Sequence, residues 1–86
     1  MLQFIYAPHF VRQFKRLPPE LQEETIEKIT LFKQNKNHDR LKVHKLHGRF
    51  SDCYGFSINF KTRIIFEHIS KNKIAFLAVG DHEIYQ

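Results

Sequence analysis

The 86-residue chain has no tryptophan, one methionine, one cysteine, three glycines and three prolines. A single thiol, Cys53, cannot close an internal disulfide, which excludes the small bridge-stapled scaffolds and fits a reducing cytoplasm. With so little glycine and proline there is no flexible linker, and no repeat or low-complexity tract interrupts the chain. No apolar stretch approaches the ~20 residues that a bilayer requires, so no membrane partner is expected. The opening Met1-Leu2-Gln3-Phe4 has neither the charged segment nor the long apolar run of an export signal. Acidic residues are also scarce: nine Asp and Glu face fourteen Lys and Arg, a net charge of +5 with histidine neutral. A small cationic domain most often meets an anion, with nucleic acid the leading candidate. What the chain does have is apolar mass, 42% of its residues, including nine Phe and three Tyr. That content excludes a disordered basic tail, and the length bounds one small domain spanning residues 1–86.

Residues Leu2 to Tyr6 read as a first strand, closed by Ala7-Pro8-His9. Phe10, Phe14 and Leu17 recur at helical spacing with Arg12, Gln13, Lys15 and Arg16 between them, an amphipathic helix with a basic outer face. Pro18-Pro19 ends it, and Pro19 suits the first turn of a second helix whose acidic start, Glu20, Glu23 and Glu24, complements the helix dipole. Ile26, Ile29 and Phe32, with Leu21 or Thr25 above, supply its buried stripe; Lys33 and Lys36 complement its end, and a polar loop over 35–39 follows. From Leu41 the period becomes alternating. Leu41 and Val43 oppose Lys42 and His44 in an extended approach to His47-Gly48, and Tyr54, Phe56, Ile58 and Phe60 share one side of a strand. Arg63 to Ile69 is the next strand, 70–73 a hairpin turn, and Ile74 to Val79 a central strand that Gly80 breaks. The order β-α-α-β-β-β predicts an α+β domain, two N-terminal helices packed on an antiparallel sheet.

Candidate chemistry lies in three places. His82 and Tyr85 follow Gly80 at the sheet's rim, where an imidazole can exchange a proton near neutrality and a phenol can stack on a base; a strand cap and a core cover are the alternatives. Arg40, Lys42, His44, Lys45, His47 and Arg49 concentrate cations and imidazoles that suit a phosphodiester backbone, or else guard an edge strand. Arg63 opens its strand where it could stabilise a phosphorane, or pair with Glu67 or Asp52. His44-x-x-His47 with Cys53 and His82 has zinc-ligand atom types but no paired ligand spacing, so no metal or cofactor is expected. Cys53 is flanked by apolar strand residues with no anchored base, which argues against a nucleophile.

Lys45-Leu46-His47-Gly48, Asp52-Cys53-Tyr54, Arg63-Ile64-Ile65-Phe66 and Val79-Gly80-Asp81-His82-Glu83-Ile84-Tyr85, in this order, resemble the RelE/ParE toxin superfamily. Within it the pattern is similar to RelE/StbE-type mRNA interferases of type II toxin–antitoxin systems, and to the YafQ-like branch above all. The resemblance implies a metal-independent, ribosome-dependent endoribonuclease, neutralised by a cognate antitoxin and reaching operator DNA only through it. In such an enzyme the ribose 2′-hydroxyl attacks the adjacent phosphorus, leaving a 2′,3′-cyclic phosphate. Carried over by position, His82 and His44 supply the acid and the base, in that or the reverse assignment. Arg63 stabilises charge, Tyr85 matches the terminal aromatic, and Lys42, Lys45, His47 and Arg49 contact RNA or rRNA. Two departures stand out: the family's two functional lysines fall at Gly55 and Ser57, and the interval from His82 to Tyr85 is short. The superfamily also permits a ParE-like inhibitor of gyrase, or a non-catalytic module that binds nucleic acid or antitoxin.

Overall fold

Among the described residues of the computed structural model these elements follow one another: β1 (Gln3–Tyr6), α1 (Pro8–Lys15), α2 (Pro19–Lys33), β2 (His44–Lys45), β3 (Cys53–Ser57), β4 (Arg63–Ser70) and β5 (Lys73–Gly80). The structure describes residues 2–34, 41–48 and 52–81. The loop expected over 35–39, together with Lys36 and Arg40, lies outside them.

The fold is α+β, as expected, but its 5-stranded sheet is mixed, in the order β1-β5-β4-β3-β2. From β2 to β5 each strand is antiparallel to the next, while β1 lies parallel to β5, with Phe4 opposite Ile74. Three reversals bring β5 back beside β1 and running in its direction. Alternation in a sequence identifies strands but carries no sign of direction, so the parallel pair was not readable from it.

The helix hairpin is built as the prolines suggest. Pro19 occupies the start of α2, and the Pro18 carbonyl accepts from the amides of Leu21 and Gln22 at 2.9 Å. Gln22 then turns its side-chain Nε2 back on the end of α1, donating to the carbonyls of Phe14 at 3.2 Å and Leu17 at 3.0 Å. The Phe14 carbonyl also accepts from the Leu17 amide at 3.1 Å, so Gln22 adds a second donor to the turn that ends α1. Leu17 falls beyond α1 and still packs against the core. On α2 the buried stripe is Thr25, Ile29 and Phe32; Ile26, one position round the helix, is exposed.

That stripe meets one face of the sheet. Phe32 stacks on Phe56 at 4.7 Å and lies 4.8 Å from Phe66, and Phe10 of α1 lies 6.0 Å from Phe76. Phe56, Phe66 and Phe76 are fully buried, and Ile64, Ile74 and Val79 complete the cluster. Where β1 ends, Gln13 of α1 continues the pairing of β5: its Oε1 accepts from the Val79 amide at 2.9 Å. Among the described residues no helix covers the other face. Leu46, Cys53, Ile65 and Ala78 form a small buried cluster there, with Leu77 against it.

Three local expectations are corrected. β3 stops at Ser57, and residues 58–61 form a turn in which Phe60 is 79% exposed rather than facing a strand neighbour. Asn59 stops the strand: its side-chain Oδ1 accepts from the amides of Lys61 at 2.8 Å and Thr62 at 2.7 Å, an alternative to ladder bonding. Lys42 does not sit in an extended run, because its φ of 58° is left-handed and turns the chain between Leu41 and Val43. Finally, Gly80 does not break the sheet; it is the last ladder residue of β5, opposite Arg63.

Candidate active site

Two of the expected catalytic residues, His44 and Arg63, lie on the uncovered sheet face. Residues directly opposite in an antiparallel ladder point to the same side, and alternate residues along a strand share that side. Gly55 pairs with Ile65 and Ser57 with Arg63 across β3 and β4, and Arg63 pairs with Gly80 across β4 and β5. Because Phe56, Ile64 and Phe66 are buried in the helix-side core, Gly55, Ser57, Ile65 and Arg63 take the opposite side. His44 of β2 pairs with Gly55 and joins them. His44 and Arg63 therefore stand on one face, two strands apart laterally and two residues apart along the strands. Strand spacing and rise put their Cα atoms roughly 12 Å apart, a gap that the two side chains can close on a shared ligand. The positions between them, Gly55 and Ser57, hold no side chain and a short one.

Two local bonds orient the groups. His44 is exposed, and its Nδ1 lies 2.7 Å from the Lys42 carbonyl oxygen. A carbonyl only accepts, so Nδ1 carries the proton in this bond, and in the neutral ring Nε2 is left as the proton acceptor. The left-handed backbone of Lys42 forms the short turn that sets its carbonyl against the ring. Arg63 is half-buried, and its Nη1 donates to the Asn59 carbonyl at 2.8 Å, which leaves the remaining guanidinium donors for an anion.

The basic residues are divided between faces. Lys45, next to His44, pairs with Tyr54 and so turns to the opposite side of the ladder, into an open groove with Asp52, Glu67 and His68. Lys42 and His47 are exposed on the approaches to β2. His82, Tyr85 and Arg49 lie outside the described residues. Gly80 and Asp81 end the described chain beside Arg63, at the end of β5 from which 82–86 continue.

Cys53 sits in the small cluster on this face. Burial first, then the neighbouring carboxylates of Glu67 and Asp52, push its thiol pKa up, the reverse of what a nucleophile needs. Among the described residues no group of three or more His, Cys, Asp or Glu side chains is placed to hold a metal ion. No helix among them is long and apolar enough to cross a membrane. Sequence reasoning missed Asn59, which shapes the turn and holds Arg63. Its signal was an Asn between two apolar runs, a turn former that the surrounding alternation concealed.

No family model and no curated protein sequence matches the chain. Solved structures do. The chain is similar to YafQ of Escherichia coli BL21(DE3), with a TM-score of 0.82 at 13% identity over 99% of this chain and 98% of that one. YafQ in the E. coli DinJ–YafQ toxin–antitoxin complex gives 0.78 at 15% identity, over 96% and 94% of the two chains. A chain of the RelBE2 toxin–antitoxin complex of Mycobacterium tuberculosis gives 0.72 at 13% identity, over 94% and 98%. The fold of this chain is that of the YafQ and RelE-like toxins.

Proposed function

We propose that the chain is a RelE/ParE-superfamily toxin of the YafQ-like kind, one domain over 1–86, and that it cleaves mRNA on the ribosome without a metal. The observation that carries the reading is the placement of His44 and Arg63 on one open sheet face, with β5 ending beside Arg63 and leading into the segment that holds His82 and Tyr85. The solved relatives, two of them in complexes with antitoxins, support a toxin role and a cognate antitoxin partner.

In this reading His44, with Nε2 free, withdraws the proton of the ribose 2′-hydroxyl, and His82 protonates the departing 5′-oxygen. The Lys42 carbonyl at Nδ1 supports His44 as the base among the two assignments. Arg63 lies against the phosphorane oxygens as negative charge develops, and Tyr85 orients the substrate. Lys42, Lys45, His47 and Arg49 contact the backbone of mRNA or rRNA, with Lys45 reaching it from the other side of the edge strand. Gly55 and Ser57, the sheet-face positions between His44 and Arg63, hold no lysine, so proton transfer falls to imidazole.

Induction in cells while following labelled methionine and thymidine tests the function. Prompt loss of methionine incorporation, relieved by His44→Ala or His82→Ala, is expected. Early arrest of thymidine incorporation with intact mRNA would contradict it and favour a gyrase inhibitor.

A further inference from the structure

The chain's phenylalanines are mostly interior: Phe10, Phe32, Phe56, Phe66 and Phe76 are at most 3% exposed. Phe60 departs from this at 79% exposed, on the turn between β3 and β4. Its turn is tightly built. The Ile58 amide donates to the Thr62 carbonyl at 2.8 Å, Asn59 accepts from Lys61 and Thr62, and Arg63 grips the Asn59 carbonyl at 2.8 Å. Asn59 Nδ2 also reaches Glu24 Oε1 on α2 at 3.4 Å, tying the turn to the helix layer. The ring is thus presented to solvent from an ordered base, and little ordering entropy remains to be lost on binding.

We infer that Phe60 is a stacking platform for a nucleobase of single-stranded RNA, with Lys61 contacting the adjoining phosphate. Three observations converge on it. Lys61 Nζ lies over the ring, 5.8 Å from its centroid, so a cation stands at one side of an aromatic ring that is 79% exposed, and the two together offer the charge and the stacking surface that single-stranded nucleic acid takes. The turn leads directly into Arg63, which faces Gly80, so Phe60 stands at the same end of the sheet as the proposed site. The ring is also alone: Asn59, Lys61 and Thr62 surround it in sequence, and no other exposed large apolar side chain belongs to the turn. A protein partner needs a contiguous apolar patch, whereas a base needs one ring. The inference rests on the RNA-cleaving reading and adds to it a residue that positions the nucleotide flanking the scissile phosphate.

The chain lacks tryptophan, so Phe60→Trp creates a single reporter at the site. Titration with a fluorescein-free 12-nucleotide RNA should quench its emission, and Phe60→Trp should bind as tightly as the wild type. By anisotropy with the same RNA labelled, Phe60→Ala and Phe60→Leu should both weaken binding by about ten- to hundredfold at fixed salt. Replacing one nucleotide of the RNA by an abasic unit should weaken the wild type by a similar factor and leave Phe60→Ala unchanged. Lys61→Ala should lower the slope of log affinity against log salt by ~0.7. The proposal is overturned if Phe60→Leu binds like the wild type, or if every abasic RNA affects Phe60→Ala as it does the wild type. Equal binding by Phe60→Ala together with intact mRNA cleavage would overturn it while leaving the nuclease reading standing. Loss of antitoxin binding with unchanged RNA affinity would overturn it in favour of a protein contact. Absence of both RNA binding and cleavage in the wild type would overturn the two together. Because Phe60 is exposed, all these variants should unfold at the wild-type urea midpoint.

Discussion

The Lys42 carbonyl holds His44 by its Nδ1 at 2.7 Å, and the holding residue is itself in a left-handed conformation with φ 58°. A lysine in that region is strained by ~1–2 kcal/mol, a cost the surrounding fold must offset. The arrangement fixes which imidazole nitrogen faces outward. His44→Gln should therefore keep the fold and lose cleavage by about 10²- to 10⁴-fold, since an amide cannot act as a base at that site. Lys42→Gly should relieve the backbone strain and raise the urea midpoint while the carbonyl stays in place. A decrease in stability for Lys42→Gly would contradict the account.

Arg63 should matter through its charge at the proposed site. Arg63→Ala is expected to lower the rate of mRNA cleavage by about 10²- to 10³-fold, the usual effect of removing one group that stabilises a developing anion. Arg63→Lys should recover only part of this, because a single ammonium cannot both hold the Asn59 carbonyl and reach a phosphate. Single-turnover cleavage rates separate the two variants.

Asn59 has a structural assignment that stability measurements can check. Asn59→Ala removes the acceptor of the Lys61 and Thr62 amides and should cost about 1 to 2 kcal/mol in urea unfolding. Asn59→Asp keeps the acceptor and should cost less, the remainder reflecting the new carboxylate beside Glu24. Equal losses for both would argue against the turn bonds.

Thr25 is fully buried on α2, and its hydroxyl has no hydrogen-bond partner among the described residues. Thr25→Val keeps the shape and removes an unsatisfied group. A gain of about 1 kcal/mol is expected, which is ~4–8 °C in Tm for a domain of this size.

Cys53 carries a pH prediction. Its thiol pKa is raised in the folded chain, by burial first and then by Glu67 and Asp52. Folding therefore favours the protonated thiol. That contribution is fully present below the unfolded thiol's pKa and is lost as pH rises through the folded value. Wild-type stability should decline more steeply in the alkaline range than that of Cys53→Ala. At neutral pH iodoacetamide should modify Cys53 at least ~10-fold more slowly in the folded chain than in urea.

Much of this architecture was legible in the residues. The spacing of Phe10 and Phe14, the proline pair, and the apolar run from Ile74 to Val79 each mark an element that is present. Helical spacing places Ile26 on the buried stripe, whereas the structure buries Thr25 there, because neighbouring helical positions differ by only ~100° of rotation and Thr25 is small enough to enter the core. Phe60 reads as a strand residue because Tyr54, Phe56, Ile58 and Phe60 alternate cleanly; nothing in periodicity reveals that the Asn59 turn ends the ladder at Ser57. At the site, the types of His44 and Arg63 pointed to acid–base and anion chemistry. Their common face was not visible, because it depends on the register of three strands.

Cleavage by the purified protein on programmed ribosomes, kept in the magnesium they require with a lesser amount of EDTA to remove other divalent metals, and with mass analysis of the new 3′ ends, tests the central claim most directly. The account predicts cuts within the decoding site that end in 2′,3′-cyclic phosphate and disappear in His44→Ala and His82→Ala. Cleavage that requires a divalent metal beyond the ribosome's own, that leaves a 3′-hydroxyl, or that persists in both histidine variants would contradict it.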